Sequence, residues 1–272
     1  MTARVALFGA NGRMGRAVQR VLDGEDGVEL AVAVTASGDS DLGRDAGELA
    51  GTGARGVPLV EGRPSLAGVD VAVDFTDAAG TARASESCGE AGVPLVSGVT
   101  GLGPETIARL DELACTQPVV WAPNMSVGVT VLFHLAAEAA RLLGPAYDAE
   151  IVEMHHRHKV DAPSGTAVRL AEVVAGAKGL ADPGAAVHGR SGAAGPRPDR
   201  EVGVMSLRGG EVIGDHTLHL AGPAERLELT HRAQDRSLFA RGAVRAARWV
   251  IGQPAGRYGM DAVLGLGRAV PS

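Results

Sequence analysis

Apolar residues arrive along this chain first in short unbroken runs and only later in alternation. RVALFGA, VELAVAV (28–34), DVAVDFT (70–76), VPLVSGVT (93–100) and PVVWAPN (118–124) are five such runs, rich in strand-forming residues. Between them lie segments with helical spacing: from the first glycines through Leu22, a small-residue stretch to about Ala91, and Pro104 to Ala114. Strands that are apolar throughout and alternate with helices predict a parallel sheet covered on both faces. The first 124 residues are therefore expected to form a Rossmann-like, doubly wound α/β domain.

SVGVTVLFHLAAEAARLLG (126–144) predicts a long helix with an apolar face, and beyond it the pattern changes. AEIVEMHH is a strand, TAVRLAEVVAGAKG a helix ended by glycine, and 182–200 a loop rich in Gly, Pro and Arg, expected to be mobile. EVGVMSLRGG, EVIGDHTLHLAG and ERLELTHRAQ read as strands with glycine turns, giving a second α+β domain with a mostly antiparallel or mixed sheet. SLFARGAVRAARWVIGQ is helical and needs a sheet to bury Leu238, Phe239, Val244 and Trp249, so it is expected to return to the first domain. The expected division is residues 1–125 with 238–272 as a dinucleotide-binding domain, and 126–237 as a substrate-binding and oligomerisation domain.

Composition narrows the function. The length of 272 residues suits two domains. Aromatic residues are only 3%, which argues against stacking platforms, and a net charge of −6 gives no reason to expect nucleic acid as a partner. Cys88 and Cys115 form no CxxC pair and read as free thiols of a reducing compartment. MTARVALFGANG runs into a strand without a signal-like segment, and no stretch approaches 18 uncharged apolar residues. The expectation is a cytoplasmic chain that binds no membrane.

FGANGRMGRAV places Gly9, Gly12 and Gly15 between a strand and a helix. Glycines there permit positive φ and close approach of a pyrophosphate, which the helix N-terminus then attracts. The spacing is GxxGxxG, and glycines alone would also suit an ordinary turn; at residue 9 of a βαβαβ pattern the nucleotide reading is preferred. The end of the second strand, Thr35-Ala36-Ser37, lacks the acid that usually binds the ribose hydroxyls of NAD. Hydroxyls with Arg13 or Arg16 could instead hold a 2′-phosphate, or Asp39 or Asp41 could reach back, so NADH and NADPH both stay open.

EMHHRHKVDAPSGTA (153–167) gathers three histidines and a lysine before a Pro-Ser-Gly-Thr turn. A metal site would use His155, His156 and His158, but adjacent strand residues point to opposite faces and no further ligand cluster completes a shell. A solvated basic patch is the bland alternative. An acid–base reading draws on more of the segment: Pro163 stiffens the turn, Ser164 is a natural N-cap, and the Gly165 and Thr166 amides open the helix 165–175 as a carboxylate site. Lys159 and His156 would add cationic donors, and His155 can exchange a proton near neutral pH. Joined to a nucleotide domain, this predicts hydride transfer to a small, multiply charged acid. No metal is expected.

The segment E-x-H-H-x-x-K-x-D-A-P-S-G-T-A resembles the signature of the 4-hydroxy-tetrahydrodipicolinate reductase (dihydrodipicolinate reductase) family. FGANGRMGR, DAGELAG (45–51), DFT (74–76), SGVTG (97–101), APNMSVG (122–128) and ERLELTHRAQDRSLFARGAVRAARW resemble family segments in the same order, over nearly the whole chain. The resemblance implies NAD(P)H-dependent reduction of a cyclic unsaturated dicarboxylate imine to tetrahydrodipicolinate, in lysine and diaminopimelate biosynthesis. It implies His155 as proton donor/acceptor and Lys159 as proton donor, with His156, Ser164, Gly165 and Thr166 at the substrate carboxylates. Gly9, Ala10, Asn11, Gly12, Arg13 and Met14 match cofactor contacts, as do Gly98, Val99 and Thr100, and Ala122, Pro123, Asn124 and Met125; Thr35 occupies the ribose position. It further implies a homotetramer formed through the second-domain sheet, and domain closure by hinges near residues 125 and 238.

Two positions depart from the family pattern. Thr35 and Ala36 stand where an acid, sometimes followed by Arg, is usual, and Val99 replaces the first Thr of a Gly-Thr-Thr-Gly loop. If only the backbone of that Thr matters, Val99 changes nothing; if its hydroxyl binds substrate, affinity falls or the substrate differs. Glu150 and Glu153 read as partners of the site's cations, Trp121 and Trp249 as core, and His134 as a packed histidine. His231 and Arg236 could face a cleft or sit in salt bridges, and His188 has no role. Two rivals remain: a reductase of another cyclic imine dicarboxylate on the same scaffold, and a non-catalytic NAD(P)-sensing protein.

Overall fold

The structure is a computed structural model that describes residues 2–180 and 186–266. β1 (Ala3–Phe8) passes through the glycine turn into α1 (Arg13–Asp23), β2 (Val28–Thr35), α2 (Ala46–Ala50) and β3 (Leu59–Glu61). β4 (Val71–Asp74), α3 (Ala78–Ala91), β5 (Leu95–Ser97), α4 (Pro104–Ala114) and β6 (Pro118–Trp121) continue the alternation. Then come α5 (Val127–Leu143), a 3₁₀ turn, β7 (Asp148–His155), α6 (Gly165–Ala177), β8 (Ala186–Val187), β9 (Val202–Arg208), β10 (Asp215–Ala221) and β11 (Arg226–Arg232). α7 (Ser237–Val250), β12 (Gly256–Tyr258) and α8 (Met260–Val263) follow. The chain divides into two compact units, Met1–Val127 with Ser237–Ser272, and Gly128–Arg236.

The first unit holds a seven-stranded sheet in the order β12-β6-β5-β4-β1-β2-β3, with every pairing parallel. The unbroken apolar runs follow from burial on both faces. Val5 and Leu7 enter one core with α1 and α7 residues such as Val18 and Val244, while Ala6 and Phe8 enter another with Ala84 of α3 and Leu110 of α4. The β1–α1 turn needs its glycines: Gly9 has φ +78°, and a Cβ on Gly15 would lie 2.1 Å from the Gly9 carbonyl oxygen. At the N-cap of α2, Asp45 accepts backbone N–H groups from Gly47, Glu48, Arg55, Gly56 and Val57, so one carboxylate shapes the DAGELAG segment.

The second unit holds a mixed five-stranded sheet, β11-β10-β7-β9-β8, with β7 antiparallel to β10 and parallel to β9. Ile151, Val204 and Leu218 form a core with Leu132, Ala136 and Ala140 of α5 and Leu170 and Val174 of α6. The opposite face carries Val152, Met154, Met205 and Leu207, the last 49% exposed.

Three expectations are corrected. Loop 182–200 is anchored over its described part. β8 pairs with β9, Arg190 and Arg197 both bind Glu150, Arg190 also binds Glu201, and Arg197 reaches Asp148 at 2.8 Å. Residues 181–185 lie outside the described residues. His134 is exposed, because the inward stripe of α5 runs through Leu132, Ala136 and Ala140. Trp121 and Trp249 are half-buried at core margins, where Trp121 donates its indole N–H to the Val99 carbonyl and Trp249 meets Tyr258 edge-on. By length and composition Val127–Ala146 is also apolar enough to cross a membrane (mean hydropathy 1.4), which the sequence reading passed over. Its inward residues pack the second core instead.

Candidate active site

In the first unit, the predicted cofactor residues gather at the carboxyl ends of the parallel strands. Gly9 to Met14 follow β1, Thr35 ends β2, Gly98 to Thr100 follow β5, and Ala122 to Met125 follow β6. β1 and β4 are central neighbours from which the strand order runs outward in both directions, and such a switch point opens a crevice for ligands. A cleft of about 230 Å³ lies there, lined among others by Gly9, Asn11, Thr35, Asp39, Phe75 and Arg83. α1 begins at Gly12 with no side-chain cap, so its N-terminal dipole end is not occupied by a side chain of its own N-cap residue. A phosphate-bearing dinucleotide fits this set: an open helix N-terminus, a glycine turn, and a cleft at the switch point.

Other predicted residues divide by exposure. Arg13, Thr100 and Pro123 are exposed; Met14 packs against the first core; Ala10, Ala122 and Met125 are buried. Asn124 accepts the Ser126 N–H through its Oδ1. The Val99 side chain is 6% exposed and its carbonyl holds Trp121, so this position offers its neighbours backbone rather than side chain. Beneath the cleft, the buried Asp74 carboxylate accepts from the hydroxyls of Thr76, Thr81 and Ser97 and ties the ends of β4 and β5 together.

In the second unit the signature segment runs from the end of β7 to the start of α6. β7 alternates, so Ile151, Glu153 and His155 face one side and are buried. His155 Nδ1 is 2.5 Å from Glu153 Oε2. Glu153 also accepts both terminal nitrogens of Arg208, each at 2.9 Å, and the Ser164 N–H at 3.1 Å. An ionised carboxylate can only accept, so Nδ1 carries the proton and Nε2 is the ring nitrogen without one. A Cβ on Gly214 would stand 3.0 Å from Nε2; the glycine keeps that atom clear. Burial lowers the His155 pKa, Glu153 opposes that, and the net shift is downward. The ring is therefore neutral near pH 7 and able to accept a proton there.

Lys159 follows one turn later, with Nζ 2.7 Å from Asp161 Oδ1. Ser164 caps α6, accepting the Ala167 N–H at 3.2 Å, and its hydroxyl reaches His216 Nε2 at 3.1 Å. Burial pulls the His216 pKa from 6.5 to about 4, and its ring meets that of His155 edge-on at 5.2 Å. Gly165, the first residue of α6, is exposed with open space where a Cβ would be, and Thr166 is half-buried. His156 does not join His155: its ring lies 6.2 Å from His158, and its buried Nδ1 has no hydrogen-bond partner among the described residues. Among the described residues no group of three or more His, Cys, Asp or Glu is arranged for a metal.

Arg208, Gly214 and His216 were missed by sequence reasoning. They reach the site through strand pairing across 50 residues or more, and only the His216 side chain carried any signal, as one more histidine in a strand. Of the remaining candidates, His231 is half-buried in β11, Arg236 is exposed, and His188 is exposed.

A dinucleotide-type sheet in one unit and, in the other, an acid–base pair leading into a Ser164-capped helix define a nicotinamide-dependent oxidoreductase. Residues 3–125 match the family described as "Dihydrodipicolinate reductase, N-terminus" and residues 128–264 "Dihydrodipicolinate reductase, C-terminus". A 4-hydroxy-tetrahydrodipicolinate reductase of Anaeromyxobacter sp. (strain Fw109-5) is 52% identical over 96% of this chain and 97% of its own length. One from Alkalilimnicola ehrlichii is 48% identical over 98% of this chain and 100% of its own. A dipicolinate-bound dihydrodipicolinate reductase from Paenisporosarcina sp. TG-14 shares the fold, with a TM-score of 0.74 over 95% of this chain and 98% of that one at 24% identity. The chain belongs to the dihydrodipicolinate reductase family and is an NAD(P)H-dependent oxidoreductase.

Proposed function

We propose that the chain reduces 4-hydroxy-tetrahydrodipicolinate to tetrahydrodipicolinate with NADH or NADPH, in diaminopimelate and lysine biosynthesis. The observation that carries this reading is the Glu153–His155 pair beside the Ser164-capped N-terminus of α6, within the family's signature segment. The relatives named above bear the same activity in their names, and the Paenisporosarcina neighbour was described with dipicolinate bound.

The nicotinamide, when bound, supplies the hydride. His155 exchanges a proton at Nε2 while Glu153 fixes the tautomer and steadies the imidazolium form. Lys159 donates a proton, with Asp161 holding its ammonium group in place. His156, Ser164, Gly165 and Thr166 receive the two substrate carboxylates: the helix dipole and its first amides favour anions, and Ser164 fixes where the helix begins. Gly9 to Met14, Thr35, Gly98 to Thr100 and Ala122 to Met125 hold the coenzyme. Residues 1–125 with 238–272 form the dinucleotide-binding domain and 126–237 the substrate-binding and oligomerisation domain. The half-exposed sheet face with Val152, Met154, Met205 and Leu207 supports a homotetramer formed through it, and the chain works in the cytoplasm.

The test generates the unstable substrate in situ from pyruvate and aspartate semialdehyde and follows coenzyme oxidation at 340 nm. Oxidation that depends on the generated substrate is expected. Lys159→Ala is expected to lose most turnover, on the order of 10²-fold or more, while still binding NADH by calorimetry. Coenzyme binding without any oxidation would sink the reaction and leave a sensing protein; oxidation with a different cyclic imine alone would change the substrate.

A further inference from the structure

We propose that Asp39 selects the coenzyme, accepting the adenosine ribose hydroxyls of NADH and excluding the 2′-phosphate of NADPH. The inference rests on the nucleotide site proposed above. The tip of β2 is Thr35-Ala36 and carries no acid, so from the pattern alone a 2′-phosphate would be admissible. Asp39, four residues beyond Thr35, nevertheless lines the same cleft as Gly9, Gly12 and Phe75.

Its position is fixed by a chain of side-chain hydrogen bonds. Asn11, within the glycine turn, donates through Nδ2 to Asp39 Oδ2 at 3.0 Å and to Asp41 Oδ2 at 3.4 Å. Asn11 Oδ1 accepts the Thr35 hydroxyl at 2.7 Å. The Asp41 N–H donates to Asp39 Oδ1 at 2.8 Å. The Thr35 hydroxyl is thus engaged within this cluster, and the ribose end of the cleft presents a carboxylate. The Asp41 amide and then Asn11 hold the Asp39 carboxyl below the usual range, so it is ionised at neutral pH.

A carboxylate accepts about four hydrogen bonds; the two named here leave capacity for two vicinal hydroxyls. A phosphate carrying about −1.5 to −2 charge would meet Asp39 with Asp41 beside it. Of the nearby cations, Arg13 is exposed at the start of α1, whereas Arg16 and Arg44 are engaged otherwise. Arg44 and Arg16 pair with Asp41, at 2.5 and 3.9 Å, and Arg16 Nε donates to the Asn11 carbonyl at 2.8 Å. Arg83 of α3 lines the cleft from the β4 wall with Thr76 and Gly80, while Asp39 comes from the β2 wall. That placement suits the base of either coenzyme rather than the 2′ position.

The test measures dissociation constants for NADH and NADPH by titration calorimetry at one fixed ionic strength, on the full chain and on Asp39→Asn, Asp39→Ala and Arg83→Ala. Each variant is first checked for an unchanged melting transition. The expected result is NADH bound at least tenfold more tightly by the unsubstituted chain. Both Asp39 variants should bring the ratio towards one, with NADPH binding improved, and Arg83→Ala should weaken both coenzymes by a similar factor. Equal or tighter binding of NADPH by the unsubstituted chain overturns the proposal. So does a ratio that survives both Asp39 substitutions, or an Arg83→Ala loss confined to NADPH. Failure of the unsubstituted chain to bind either coenzyme overturns the nucleotide site itself, a result distinct from a wrong ratio.

Discussion

Glu153 Oε2 stands 2.5 Å from His155 Nδ1, two residues apart on the same face of β7. Burial works to raise the Glu153 pKa, but Arg208, Ser206, His155 and the Ser164 N–H outweigh it, and the carboxyl is held at about 2. The pair makes a histidine whose orientation is set from within its own strand.

Removing that charge should be visible in the pH dependence of turnover. Glu153 favours protonation of His155, so in Glu153→Gln burial and the Lys159 and Arg208 charges act unopposed and the His155 pKa falls further. The expected outcome is a loss of kcat on the order of 10²-fold, an acidic limb of the pH–rate profile moved to lower pH, and NADH affinity unchanged. A profile that keeps its shape and position would place the control of His155 elsewhere. The substitution also leaves Arg208 facing a neutral amide, so a lower melting temperature should accompany it.

Acid stability should fall in two limbs. In the unfolded chain His216 takes up a proton near 6.5, whereas in the fold it resists until about 4. The unfolded state therefore binds more protons in that window, and stability declines as pH is lowered from 6.5 towards 4, by about 3 kcal/mol from this group. Glu153, held at about 2 against an ordinary 4.5, adds a second decline between those values. Denaturant midpoints measured from pH 7 to 3 should trace both limbs, and His216→Asn should flatten the first. A first limb of undiminished depth in that variant would count against His216 as its source.

Gly214→Ala tests the access to Nε2. Its backbone is not in the left-handed region, so an alanine is tolerated conformationally, yet its Cβ would lie 3.0 Å from His155 Nε2 and 3.6 Å from the His216 ring. Turnover should drop roughly tenfold or more by displacement of a positioned proton-transfer group, while the unfolding midpoint moves little. Equal activity in this variant would mean that proton exchange does not take place on that side of the ring.

The β1–α1 turn, the Pro104–Ala114 helix and the Ser164 cap were legible because each depends on neighbours in sequence: glycine spacing, a proline at the first helical position, a hydroxyl before an amphipathic run. Arg208 was not, because it meets Glu153 only through the β7–β9 pairing, and nothing in SLRGG marks that arginine. The 186–200 stretch misled for a related reason: its glycines, prolines and arginines match a mobile loop, while the carboxylates that hold it sit mainly on β7. Asp39 was named only as one of two acids that might reach back, since an acid in a turn says nothing about where its side chain is directed. The hydrogen bonds of Asn11 supply that direction.

The first unit is assembled from both ends of the chain, with α7 packed on α1 and β12 paired to β6. During synthesis from the N-terminus, the ribosome delivers β1 to β6 long before α7 exists to cover Val18, Val21 and Leu22 of α1. The inserted second unit has all its strands by Arg232 and can reach its native core while the earlier segment still waits for a lid. A nascent chain stalled before residue 237 would thus carry a finished insert on an unfinished host, with the apolar side of α1 offered to chaperones until α7 emerges.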